Sequence, residues 1–97
     1  MPLALYLLEF TSDDKKTIAD ARQAEPPLTD DGPHYLGGLI VEAASLVDAE
    51  ALAQRRGLDP GGEMDGRELP RSVFVPETRT MILLSRAEVQ EIKRRAF

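Results

Sequence analysis

Two stretches of the chain are apolar on both sides of an extended backbone. From Leu3 to Phe10 one alternating set is Leu3, Leu5 and Leu7, and the other is Ala4, Tyr6, Leu8 and Phe10. A strand with both sets apolar is covered above and below, which puts it at the centre of a sheet. Tyr35 to Ala43, with Leu39-Ile40-Val41 at its middle, predicts a second buried strand. Gly37 and Gly38 near its start predict a bulge or a close backbone approach. Two weaker extended segments follow. Glu63 to Leu69 predicts a short strand stopped by Pro70, and Ser72-Val73-Phe74-Val75 reads as extended. Met81-Ile82-Leu83-Leu84 is either a strand or a buried helical turn, because four residues are too few for periodicity to separate the two.

Helical signals lie between these stretches. Thr11-Ser12-Asp13-Asp14 supplies capping oxygens and negative charge, predicting a lightly packed helix from Asp13 to about Ala24, closed by Pro26-Pro27. Pro26 to Thr29 then allows only a short edge strand or loop, and Asp30-Asp31-Gly32-Pro33 predicts a turn. The second helix has the clearest signals. Ser45 is its N-cap, Leu46, Ala49, Leu52 and Ala53 share a face, and Gly57-Leu58 fits a glycine C-cap with its hydrophobic contact. Ser85-Arg86-Ala87-Glu88 is a capping box opening a last helix over 86–96, with the narrow stripe Val89, Ile92 and Ala96.

The resulting order is β–α–(short β)–β–α–β over residues 1–70, followed by an extension over 71–97 that ends in a helix. That order predicts an α+β, ferredoxin-like sandwich with helices on one face of an antiparallel sheet. The opposite face is then apolar and uncovered. Such a face is hidden by dimerisation or by an extension packed across it, from the same chain or a partner.

Composition narrows the function classes. The 97 residues fit one core, with 42% hydrophobic and 30% charged residues, as in an ordinary soluble domain. No segment reaches the length of about 20 apolar residues that a membrane span requires. The N-terminal run, interrupted by Glu9 and without a basic segment before it, reads as a strand rather than a secretory signal. Without cysteine there is no thiolate nucleophile and no Cys-based zinc site, and a reducing, cytoplasmic setting is expected. Twelve Lys/Arg against seventeen Asp/Glu leave a net charge of −5, which opposes nucleic-acid binding. The one tight basic cluster, Lys93-Arg94-Arg95, sits where a helix dipole favours cations.

Candidate chemistry is sparse. His34 is the only histidine, and as a general base it would need an orienting partner. Asp59-Pro60-Gly61-Gly62-Glu63-Met64-Asp65-Gly66 is acidic and glycine-rich but lacks the spacing of a calcium loop. No serine stands in a Gly-x-Ser-x-Gly elbow, and neither a P-loop nor a dinucleotide fingerprint is present. No cofactor is expected.

Gly37-Gly38-Leu39-Ile40-Val41-Glu42-Ala43, followed by Ser45, Asp48-Ala49-Glu50-Ala51-Leu52 and Asp59-Pro60, resembles the second half of YCII-related proteins. Asp31-Gly32-Pro33 is similar to the DGP motif of one branch of that family. The resemblance covers residues 31–60 and does not extend to 71–97. It implies a dimeric ferredoxin-like fold and a cleft in which a histidine of the first helix faces an aspartate after the second. Asp59 matches that aspartate. The histidine has no counterpart between Ser12 and Ala24, and His34 lies elsewhere.

Two functions from different classes follow. The first is a non-enzymatic interaction or assembly module, homo-oligomeric or an accessory subunit of a larger complex such as a viral particle. Its interaction residues would be Phe74, Met81, Ile82, Leu83 and Leu84, apolar material beyond the needs of a six-element domain. The second is a YCII-like small-molecule site, binding or weakly catalytic, that uses Asp59 with His34 or Tyr35.

Overall fold

The computed structural model describes residues 3–21, 24–27 and 32–97. Its elements are β1 (Ala4–Ser12), α1 (Lys15–Asp20), β2 (His34–Ala43), α2 (Leu46–Arg55), β3 (Glu63–Glu68), a 3-10 turn (Glu77–Arg79) and α3 (Arg86–Ala96). The three strands form one antiparallel sheet in the order β2-β1-β3, so the doubly apolar β1 is central.

Each face of the sheet has its own core. Leu8, Phe10, Leu36, Leu39 and Val41 point to the first face, where α2 covers them with Ala49 and Ala53 and α1 adds Ile18. Leu7, Tyr35 and Ile40 point to the second face and meet Val89 and Ile92 of α3, together with Leu69 and Leu84. The segment 71–97 therefore lies across the second face of its own sheet, with Val73, Val75 and Ala96 packed at the border of that core. α3 approaches closely because Gly38 has no side chain: a Cβ there would stand 2.4 Å from a Val89 methyl.

The register of β2 on β1 shifts once. Phe10 lies opposite Gly37 but Thr11 lies opposite Tyr35, leaving Leu36 as an extra residue. This is the bulge that Gly37-Gly38 predicts, and it has a consequence for side chains. Unbroken alternation from Val41 and Leu39 would turn residue 35 to the first face. The extra residue turns Tyr35 to the second face and keeps Leu36 on the first.

The helix termini follow the sequence closely at two of the three helices. Ser45 accepts from the Asp48 N–H at the start of α2. At its end the Leu58 N–H donates to the Ala53 carbonyl and the Gly57 N–H to the Gln54 carbonyl, a Schellman closure with Gly57 at φ 67°. Both halves of the Ser85–Glu88 capping box are formed. α1 is shorter than the predicted 13–24. Its N-cap is Asp14, which accepts from both the Thr17 N–H and the Thr17 hydroxyl, and the backbone is already extended at Ala21. Six residues with no fully buried side chain carry little packing to prolong the helix.

The outer edge of β2 is closed by two other parts of the chain. Glu25 forms a bridge to Tyr35, just ahead of Pro26 to Thr29, where the sequence allows a short edge strand or loop; Pro26 and Pro27 carry no strand pairing, and Leu28 and Thr29, with Asp30 and Asp31 of the turn, lie outside the described residues. Further along, Gly38 and Leu84 exchange two backbone hydrogen bonds, and the Met81 N–H donates to the Ile40 carbonyl. Residues 81–84 are thus an edge segment, bridged at Leu84, rather than a helical turn. Met81 takes a left-handed backbone, φ 59°, which a side chain disfavours.

Candidate functional site

Asp59 lies in the loop after α2, and its carboxylate accepts from the Gly61 N–H at 2.7 Å, closing a tight local turn. It lines an open cavity of about 400 Å³ together with Asp20 at the end of α1, Leu58, and Met81, Ile82 and Leu83. The carboxylate that the family resemblance singles out therefore shares a hollow with three of the five apolar residues assigned to interaction.

Those five differ in their surroundings. Leu84 is buried in the second core, and Met81 packs at the border of the first. Leu83 is half-buried and lies close to Gly37. Ile82 is 41% exposed, and Phe74 is 74% exposed between the inward-turned Val73 and Val75.

His34 opens β2, opposite Ser12 of β1, and its Nδ1 stands 2.9 Å from the Glu25 carbonyl. A carbonyl oxygen only accepts, so Nδ1 carries the proton in this contact. Asp59 belongs to the loop that leads into β3 on the other side of β1, where Glu63 lies opposite Thr11. Strands are spaced about 4.8 Å apart, so the starts of β2 and β3 are separated by about 10 Å with β1 between them. Asp59 borders the cavity beside residues 81–83 and a second one beside Met64, and His34 borders neither.

A polar cluster that the sequence does not announce lies between α3 and the sheet. Glu9 accepts from the Tyr35 hydroxyl at 3.0 Å and from Lys93 Nζ at 3.2 Å. Burial, reinforced by the charge of Glu9, holds the Tyr35 phenol far above its ordinary value, so it remains a neutral donor. Arg86 stands beside this pair, with its guanidinium 5.3 Å from the centre of the Tyr35 ring, its Nε 3.9 Å from Glu25 Oε2 and its backbone N–H donating to Glu25 Oε1 at 2.9 Å. The two cations face carboxylates that already occupy them, and the cluster fastens α3 to both β1 and β2. Among the described residues, no group of three or more His, Asp and Glu side chains is disposed to hold a metal ion.

The remaining feature is the outer edge of β3. Tyr6 lies opposite Glu68, and the Leu69 N–H donates to the Leu5 carbonyl. Antiparallel ladders alternate hydrogen-bonded and non-hydrogen-bonded pairs. Leu5–Leu69 is bonded, so Leu7–Arg67, Glu9–Asp65 and Thr11–Glu63 are the bonded pairs on the β1 side. Met64, Gly66 and Glu68 therefore direct their N–H and C=O groups away from β1. Among the described residues, β3 pairs with β1 alone. Its side chains on the second face are Glu63, Asp65 and Arg67, all exposed, and the Arg67 guanidinium lies 3.7 Å from the centre of the Phe97 ring. Sequence reasoning finds the strand and misses the edge. The pattern Glu-Met-Asp-Gly-Arg-Glu fixes an extended backbone but not which neighbours flank it.

No family model, curated protein or solved structure matches the chain.

Proposed function

We propose that this chain is a non-enzymatic assembly module that associates by adding a strand at the outer edge of β3. The observation that carries this reading is the asymmetry of the sheet: the β2 edge is closed by Glu25 and residues 81–84, while the β3 edge presents three consecutive outward-facing backbone positions. An exposed row of unpaired N–H and C=O groups is a template for another strand. The charged side chains of β3 are the means by which an open edge avoids indiscriminate pairing while still accepting a matched partner. The fold reading that accompanies this is ferredoxin-like. It is supported by the spatial order Glu25 segment, β2, β1, β3, with α1 and α2 on one face. The expected setting is cytoplasmic; among the described residues, no helix is long and apolar enough to cross a membrane.

Glu68→Pro tests the reading. The Glu68 N–H points outward, so proline removes an edge donor without removing a bond to β1. The wild-type chain should sediment above its 10.7 kDa mass across a micromolar-to-submillimolar dilution series, and Glu68→Pro should return it to that mass with an unchanged circular dichroism spectrum. A wild-type chain that stays at 10.7 kDa throughout would sink the homo-oligomeric reading.

One observation favours a second reading, a YCII-like small-molecule site. Asp59 and the end of α1 border the same cavity, the relation that the resemblance implies for the aspartate and the first helix. Asp59→Ala separates the two functions: loss of a bound small molecule with an intact assembly would favour the cavity.

A further inference from the structure

We infer that the strand added at β3 is β3 of a second copy, antiparallel about a two-fold axis through Gly66. This rests on the assembly reading above and names its partner and register.

The backbone limits the choices. Outward-facing residues pair with outward-facing residues, so Met64, Gly66 and Glu68 of one copy must meet the same set of the other. Three two-fold registers satisfy this with substantial overlap, centred at residue 65, 66 or 67. The side chains on the second face choose among them. Centred at 65, Glu63 faces Arg67 on each side, but Asp65 faces Asp65 of the second copy at the axis itself, between them. Centred at 67, Arg67 faces Arg67. Centred at 66, Asp65 faces Arg67 twice, once on each side of the axis. Like charges directly opposite each other destabilise a strand pair and opposite charges support it, so the Gly66 register is selected.

Two structural details fit that register. In non-hydrogen-bonded pairs the side chains stand closest, and Asp65–Arg67 is such a pair here. The Arg67 guanidinium is already held over the Phe97 ring, a stacking that leaves its in-plane N–H groups free to donate to a carboxylate. On the first face, Gly66 carries no side chain because a Cβ there would stand 2.6 Å from Leu46 and 3.0 Å from Leu8. At the axis Gly66 would therefore face Gly66 of the second copy with no side chain on either. The product is a continuous six-stranded sheet in the order β2-β1-β3-β3-β1-β2.

Charge exchange tests the register on the full-length chain. In Asp65→Arg the two cross-strand pairs become Arg–Arg, and in Arg67→Asp they become Asp–Asp, so each variant alone should sediment at 10.7 kDa. Mixed in equal amounts, each Asp65→Arg chain meets an Arg67→Asp chain with both pairs complementary, and a species of double mass containing one of each should return. That recovery also shows that both variants are folded. If the wild type has double mass and neither exchange changes it, the Gly66 register is wrong while the assembly reading survives. If the wild type never exceeds 10.7 kDa, both fall. If Asp65→Arg keeps the double mass while Arg67→Asp loses it, the register is centred at 65, where the first change exchanges one like pair for another and the second sets an aspartate at position 67 opposite Glu63.

Discussion

The two faces of the sheet are covered in different ways. On the first face, α2 lies on Leu8, Phe10, Leu36, Leu39 and Val41 through small side chains, Ala49 and Ala53, and the contact is apolar throughout. On the second face, α3 brings Val89 and Ile92 onto Leu7 and Ile40, and the helix is also anchored by the Tyr35–Glu9–Lys93 cluster. The first cover is a packing problem solved by shape. The second joins a helix to a strand 84 positions away in sequence through a half-buried carboxylate, and such a group requires partners. The sequence leaves this face open to cover by a second chain or by the extension, and the extension lies on it.

The difference can be broken from each side. Phe10→Ala empties the larger and better-enclosed core and should cost about 3–5 kcal/mol, measured by urea denaturation. Ile92→Ala removes one of the two buried residues of α3 and should cost about 2–3 kcal/mol, at the lower end for such truncations, because Ile92 already borders an open cavity beside Pro76 and Ala87. Equal losses would show that the two covers are energetically one core. Ser85→Ala strips one N–H partner from the start of α3 and should lower stability by about 0.5–2 kcal/mol. The helical signal of α3 should fray with it while the first face is unaffected, as amide exchange at Leu8 and Leu39 would report.

A last measurement isolates the polar anchor. The unfolded chain releases the Tyr35 proton near the ordinary value of 10.0, whereas the folded chain holds it to a higher pH. The phenol therefore contributes stability that is complete below pH 10 and is lost as the pH rises beyond it. The denaturation midpoint should fall above about pH 10, and Tyr35→Phe should make that fall shallower while leaving the acid side unchanged. Identical alkaline slopes for the two proteins would mean that the cluster does not hold α3.

Much of this architecture is legible in the residues. Ser45, Gly57 and the Ser85–Glu88 box mark helix ends whose signals act within a turn of themselves, and tertiary context does not alter them. β1 and β2 are legible because both faces are apolar. The fate of Met81–Leu84 is not, since these four apolar residues meet the sheet edge only by bonding to Gly38 and Ile40, which are far away in sequence. α1 ends early because packing, not propensity, sets the length of a helix with one Ile. Glu9 illustrates the limit best. In sequence it is an interruption of an apolar strand, and its partners Tyr35 and Lys93 come from two other elements. One of them reaches it only because Leu36 is an extra residue. Asp59 is legible as a turn residue, and its cavity arises from the arrival of residues 81–83.

The closed edge of β2 sets the valence of the molecule. A sheet with two open edges is bivalent, and strand addition at both ends propagates without limit, as in a fibre. Among the described residues, Glu25 on one stretch and residues 81–84 on the next occupy the β2 edge from Tyr35 to Ile40, so in the proposed assembly each copy adds a strand at β3 alone. An isologous contact at a single site uses the same patch on both partners and is exhausted when two copies have met. Opening the β2 edge by disrupting residues 81–84 would raise the valence to two and turn a saturating association into an open-ended one.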